Sequence, residues 1–151
     1  MSYPRLVIKA KYKNKKCKSP YVTDSDKAIS IIREISNNHH VLWQESMLML
    51  CLYSSNRLQC WSPVSIGGTD FSPADIKIVA TIAATTSASK VILAHNHPGG
   101  ILLPSKSDIK TTHTIAKGLS TIGVELVDHI IFTDEGHISM KDEGYFTQCY
   151  N

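Results

Sequence analysis

Long apolar runs are missing from this sequence, and so are the cysteine pairs that would mark a disulfide or zinc framework. No stretch approaches the roughly 20 apolar residues that a membrane-spanning helix needs. The opening residues, Met1-Ser2-Tyr3-Pro4-Arg5, lack the apolar core of a signal peptide. The four cysteines, Cys17, Cys51, Cys60 and Cys149, show no Cys-x-x-Cys spacing, so free thiols in a reducing cytoplasm are expected. Internal repeats and low-complexity tracts are absent beyond one lysine-rich stretch. The His-x-Glu and Pro-Cys-x-x-Cys elements of a nucleoside deaminase are absent too, which argues against that chemistry.

What remains is an ordinary globular composition: 151 residues, 42% of them hydrophobic, enough for one core and too few for two. The net charge of +3 hides an asymmetry. Seven of the sixteen basic residues, Arg5 to Lys18, precede the first acid, Asp24, leaving nine basic against thirteen acidic residues. Alternation of Leu6, Ile8, Ala10 and Tyr12 with Arg5, Lys9, Lys11 and Lys13 predicts a half-buried strand with a basic face. Such a face could contact DNA through Lys9, Lys11 and Lys13. Protection of an exposed sheet edge is the favoured reading, because no aromatic residues stand among the lysines for base stacking.

Asn14 to Pro20 reads as a loop. Thr23 or Asp24 then caps a helix with Ala28, Ile29, Ile31, Ile32 and Ile35 on its apolar side, stopping near Asn37-Asn38. Strands are predicted from Trp43 to Tyr53 and from Arg57 to Ile66, joined by a Ser54-Ser55-Asn56 turn. A helix starts at Ser72-Pro73, with Asp75 in its first turn and Ile76, Val79, Ala80 and Ala83 facing a sheet. The strand Lys90–His95 follows. A helix from Lys106 buries Ile109, Ile115, Leu119 and Ile122 and ends at Gly123. Strands over 124–133 and 137–140 complete the chain. Helices interleaved with strands, some paired as hairpins, imply an α/β (α+β) fold with a mixed sheet covered by helices.

The chemistry gathers where the apolar run Val91-Ile92-Leu93-Ala94 ends in His95-Asn96-His97. Side chains alternate along a strand, so His95 and His97 share one face and Asn96 takes the other, where a structural role is expected. Gly99 and Gly100 permit a sharp turn that brings the next helix start back over the strand end. Ser105 and Asp108 have the spacing of a capping box, and Asp108 is also placed to be a third metal ligand. Two imidazoles and a carboxylate, with a fourth position open, suit a catalytic zinc ion, although iron, cobalt or manganese would accept the same set.

The pattern His95-Asn96-His97-Pro98-Gly99-Gly100, then Pro104-Ser105-x-x-Asp108, resembles the JAMM/MPN metalloprotease signature, most closely its RadC-like branch. The likeness continues through Gly123-Val124-Glu125-Leu126-Val127-Asp128-His129-Ile130-Ile131 and Ser139 to Gly144, and reaches back to about Thr23. It implies one JAB/MPN domain over residues 1–151, of cytidine-deaminase-like architecture, with 1–22 as a basic N-terminal strand and loop. The helix-hairpin-helix segment that often precedes the metal domain in this branch has no counterpart in the sequence.

The resemblance further implies a zinc-dependent hydrolase acting on a peptide or isopeptide amide of a protein substrate, with zinc on His95, His97 and Asp108. Glu45, at the head of an apolar strand, matches the family's general base; Glu34 reads as a surface residue on its helix. Ser105 matches the family's hydrogen-bond donor to the developing oxyanion. Asp128 or His129 can support the ligands from behind. His39, His40, His113 and His137 are not expected to be ligands. The family's Pro-Ser-Gly is replaced by Pro98-Gly99-Gly100, followed by Ile101-Leu102-Leu103. Those three side chains can line a substrate groove, form a homodimer contact or tuck into the core. The alternatives to hydrolysis are a DNA-associated repair or recombination accessory and a metal-binding scaffold.

Overall fold

In the computed structural model, residues 10–13, 19–39, 44–67 and 74–146 are described. Eight elements follow in order: α1 (Ser25–His39), β1 (Ser46–Leu52), β2 (Leu58–Ile66), α2 (Ile76–Thr86), β3 (Lys90–Asn96), α3 (Lys106–Ser120), β4 (Glu125–Phe132) and β5 (His137–Ser139). The strands form one sheet in the order β2-β1-β3-β4-β5. Only β3 and β4 run parallel, linked by α3 as a crossover helix; the other neighbours are antiparallel. The sheet is therefore mixed and covered by helices, as expected.

Every residue of β1 is buried, because this inner strand is covered on both faces. Met47, Met49 and Cys51 point to the side where Val91 and Leu93 of β3 meet Val79 and Ala83 of α2 and Ile115, Ala116 and Leu119 of α3. Leu48, Leu50 and Leu52 point to the other side and join Ile92, Ala94, Ile130 and Phe132 against Ala28, Ile29 and Ile32 of α1. The result is three layers. Helices α2 and α3 approach closely at Gly118, where an added Cβ would lie 2.7 Å from the Ile76 side chain.

Several boundaries differ from the sequence reading. Ala10–Lys13 is irregular and exposed, so no strand extends over these residues; Lys9 and the rest of the anticipated strand lie outside the described residues. Around Leu58 the edge of β2 is instead engaged by Ser19–Val22: Pro20 O accepts from Leu58 N at 2.8 Å, and Val22 N donates to Asn56 O at 2.8 Å. Helix α1 is capped by Asp24, whose carboxylate accepts from Lys27 N at 2.7 Å, and runs to His39, just past the Asn37-Asn38 end expected for it. Helix α2 starts at Ile76 with Asp75 as its N-cap, not in its first turn. Helix α3 ends at Ser120, before Gly123, and Ile122 is exposed rather than buried. Strand β1 begins at Ser46, which leaves Glu45 just ahead of it.

Cys51 and Cys60 are free thiols opposite each other on β1 and β2; Cys17 and Cys149 lie outside the described residues. No helix among the described residues is long and apolar enough to cross a membrane.

Candidate metal centre

The site sits at the C-terminal end of β3. Met47 of β1 and Ile131 of β4 flank His95 in the sheet, so its ring rises among apolar neighbours and is fully buried. His97, one pleat repeat further on, emerges on the same face half-buried. Their Nε2 atoms lie 2.8 Å apart. The chain then turns at 98–100: Gly100 donates its N–H to His97 O at 3.0 Å and takes φ +78°, a conformation that favours glycine. Gly99 needs no such freedom, so only one of the two glycines is demanded by the turn.

That turn delivers the N-terminus of α3 over the two rings. Ser105 is the N-cap and Asp108 the third residue of the helix, and both hydrogen bonds of a capping box form. Asp108 Oδ2 accepts from Ser105 N at 2.7 Å, and Ser105 Oγ accepts from Asp108 N at 3.1 Å. The same carboxylate, 2% exposed, faces the histidines: Oδ1 is 3.4 Å from His95 Nε2 and Oδ2 is 3.7 Å from His97 Nε2. Capping and ligand geometry are thus two uses of one side chain. Helix N-termini favour a carboxylate for the same electrostatic reason.

Glu45 closes the group from the other side. One of its carboxylate oxygens and a ring nitrogen of each of His95 and His97 all lie within 4.8 Å of one another. Its position is set by Asn96, whose side chain points to the opposite face of β3, as the strand alternation requires. Asn96 Oδ1 accepts from Ser46 N at 2.8 Å and from Ser46 Oγ at 3.0 Å, and its amide donates to Gln44 O at 3.0 Å. Asn96 therefore grips the residues on both sides of Glu45. The structural role expected for it takes this specific form.

The electrostatics follow from burial and proximity. Burial opposes ionisation of Asp108, yet the neighbouring His97, the hydrogen bond from Ser105 and the charge of His95 outweigh it and hold the carboxyl far below its ordinary range. Burial pushes His95 down to about 4, with Asp108 opposing and His97 reinforcing. His97 moves up, chiefly through the Asp108 carboxylate beside it against the cost of burial, aided by the Ile101 carbonyl and the charge of Glu45. Burial raises Glu45; His97 pulls it down and Asp108 pushes it further up.

The donor set suits a divalent cation. His97 Nδ1 lies 2.6 Å from Ile101 O, a group that can only accept, so that nitrogen carries the proton and Nε2 presents a lone pair toward His95. Two imidazole nitrogens with the carboxylates of Asp108 and Glu45 beside them form a group that could hold a divalent metal ion.

Of the other candidates, Asp128 and His129 separate. Asp128 points to the α1 side, where its carboxylate accepts from Ser139 Oγ at 2.6 Å and from the N–H groups of His129 and Lys141. It braces the end of β5 and the turn that follows it rather than bonding to the site histidines. His129 is fully buried on the metal side, its Nε2 2.8 Å from His95 Nδ1. Thr112, which sequence reasoning missed, lies 2.6 Å from His129 Nδ1. Its signal was its place one helical turn after Asp108, on the same face.

His113 lies 3.1 Å from Tyr145 O, and His137 lies 3.5 Å from Asp26; neither joins the metal group. His39 ends α1, His40 lies outside the described residues, and Glu34 is exposed. Beside the site, Ile101 and Leu103 are 63% and 69% exposed, so they do not tuck into the core; Leu102 is half-buried against Gly136. A depression lined by His97, Pro98, Gly99, Gly100, Asp134 and Glu135 adjoins them.

Residues 22–145 match the model of the RadC-like JAB domain. A UPF0758 protein of Porphyromonas gingivalis is 36% identical over 124 residues, covering 82% of this chain and 53% of the relative. One from Fusobacterium nucleatum is 32% identical over 144 residues, covering 93% of this chain and 61% of the relative. One from Aquifex aeolicus is 37% identical over 101 residues, 67% and 44% of the two chains. The chain thus spans about half the length of these relatives. With the family model covering most of its length and the candidate ligands inside the match, the chain belongs to the RadC-like JAB-domain family.

Proposed function

We propose that this protein is a zinc-dependent hydrolase that cleaves a peptide or isopeptide amide. The observation that carries the reading is the convergence of His95 Nε2, His97 Nε2 and both oxygens of Asp108 within 2.8 to 3.7 Å, with Glu45 facing them. His95, His97 and Asp108 would hold the ion, which supplies Lewis acidity toward a water and toward the scissile carbonyl.

Glu45 is the general base in this reading. Its raised pKa brings it closer to the neutral range in which a carboxylate both accepts and returns a proton. It takes one proton from the attacking water as the C–O bond forms, and passes it to the leaving nitrogen as the C–N bond breaks. Ser105 Oγ is occupied as an acceptor from Asp108 N, which leaves its hydroxyl proton to donate to the oxygen of the tetrahedral intermediate. Ile101 and Leu103 favour a substrate with apolar side chains near the scissile bond.

The test is Glu45→Gln, assayed against an amide-linked peptide library alongside the parent protein. The parent should cleave members of the library, and the variant should lose on the order of 10²–10⁴ in rate while retaining its zinc. Loss of zinc together with activity would make Glu45 a ligand instead of the base. A zinc-loaded parent that cleaves nothing would overturn the hydrolase reading in favour of a metal-binding scaffold.

A further inference from the structure

We propose that a hydrogen-bonded chain, Thr112–His129–His95, locks His95 in the Nδ1–H tautomer and so turns its Nε2 lone pair toward the metal. Thr112 and His129 are then positioning residues for a ligand they stand behind. The inference rests on the metal reading above.

The direction of the chain follows from donors and acceptors. Thr112 Oγ1 has three neighbours: Asp108 O at 2.6 Å, His129 Nδ1 at 2.6 Å and Met140 Sδ at 3.6 Å. A carbonyl oxygen at 2.6 Å can only accept, so the single hydroxyl proton goes to Asp108 O, the back-bond a helical threonine commonly makes. Thr112 Oγ1 must then receive a proton from His129 Nδ1. A neutral His129 consequently bears its lone pair on Nε2, which lies 2.8 Å from His95 Nδ1. His95 Nδ1 must donate there, and its Nε2 is left as an acceptor. The two rings, both fully buried, lie 4.8 Å apart at 54° to each other.

His97 reaches the same tautomer by a shorter route, through Ile101 O. The two Nε2 lone pairs, 2.8 Å apart, therefore confront each other and Asp108, an arrangement that calls for a cation. The start of the chain is also tied to the third ligand by a hydrogen bond, because Thr112 Oγ1 donates to the carbonyl of Asp108 itself. One helix turn thus supplies a carboxylate ligand and the group that orients an imidazole ligand.

The test begins with the parent protein free of metal and labelled with ¹⁵N-histidine. Two-bond ¹H–¹⁵N correlations should report His95 and His129 both as Nδ1–H tautomers. An Nε2–H tautomer at His95 would overturn the proposal without recourse to any variant. Zinc affinity is then measured by competition with a chromogenic chelator. Thr112→Val and His129→Phe remove an acceptor and should weaken binding about 10–100-fold. Thr112→Ser keeps the hydroxyl, and His129→Gln can accept from His95 while donating to Thr112, so both should bind within a few-fold of the parent. Equal affinity across all four variants would overturn the positioning role. A parent with the Nδ1–H tautomer that takes up no zinc would instead overturn the metal reading and leave the chain of bonds standing.

Discussion

Helices α2 and α3 lie on the same face of the sheet, and each begins with a side chain that caps its backbone. In α2 the cap is Asp75, exposed, accepting from Lys77 N at 2.8 Å. In α3 the cap is shared by Ser105 and Asp108, and Asp108 is buried against two imidazoles. The local device is the same, and its chemistry differs because of what stands opposite. An exposed cap finds water on its far side; a buried one must satisfy its second oxygen inside the protein. Here the second oxygen meets His95. A capping pattern becomes a candidate ligand only through the strand it lands on.

Substitutions at the two caps should separate them most sharply. Asp108→Asn retains an acceptor for Ser105 N but removes the charge facing the histidines. Zinc affinity is expected to fall by more than the roughly 10–100-fold typical of residues behind a ligand, read by the same chelator competition. Retained affinity would reduce Asp108 to a cap like Asp75.

Acidification should expose the difference next. The buried His95 titrates at about 4 against an ordinary 6.5, so between these values the unfolded chain binds a proton that the folded chain refuses. Stability of the metal-free protein should therefore fall as pH drops through that window, by up to about 3 kcal/mol from His95. His129, lowered in the same sense by its burial, adds to the loss. His97 is shifted upward, so its contribution is present at low pH, fades as pH rises, and partly offsets the loss. Urea melts at pH 7 and pH 4.5 measure the sum; no decline would contradict the burial of an uncharged histidine pair.

The smallest effect belongs to the plain cap. Asp75→Ala should lower stability by about 1 kcal/mol in urea melts and leave zinc binding unchanged.

Much of this contrast was legible in the sequence. Alternation placed His95 and His97 on one face and Asn96 on the other, and the Ser-x-x-Asp spacing marked the start of α3. Periodicity reports which face a residue takes, however, and not what lies across from it. The Asn96 latch joins residues about 50 positions apart, so its partners could not be read from local pattern. Thr112 was missed because its place one turn after Asp108 marks a shared helix face and not the buried His129 that stands across from it. Asp128 and His129 read as one polar pair, while strand alternation sends them to opposite sides of the sheet. The basic alternation predicted a strand through Tyr12, but alternation does not supply a neighbour, and the described part, Ala10–Lys13, is irregular while the β2 edge near Leu58 is engaged by Ser19–Val22.

The most direct test of the metal centre is elemental analysis of the purified protein beside His97→Ala, each reconstituted with zinc and desalted. The account predicts about one zinc per chain in the parent and none retained by the variant. Failure of the parent to retain any divalent metal after reconstitution would contradict it.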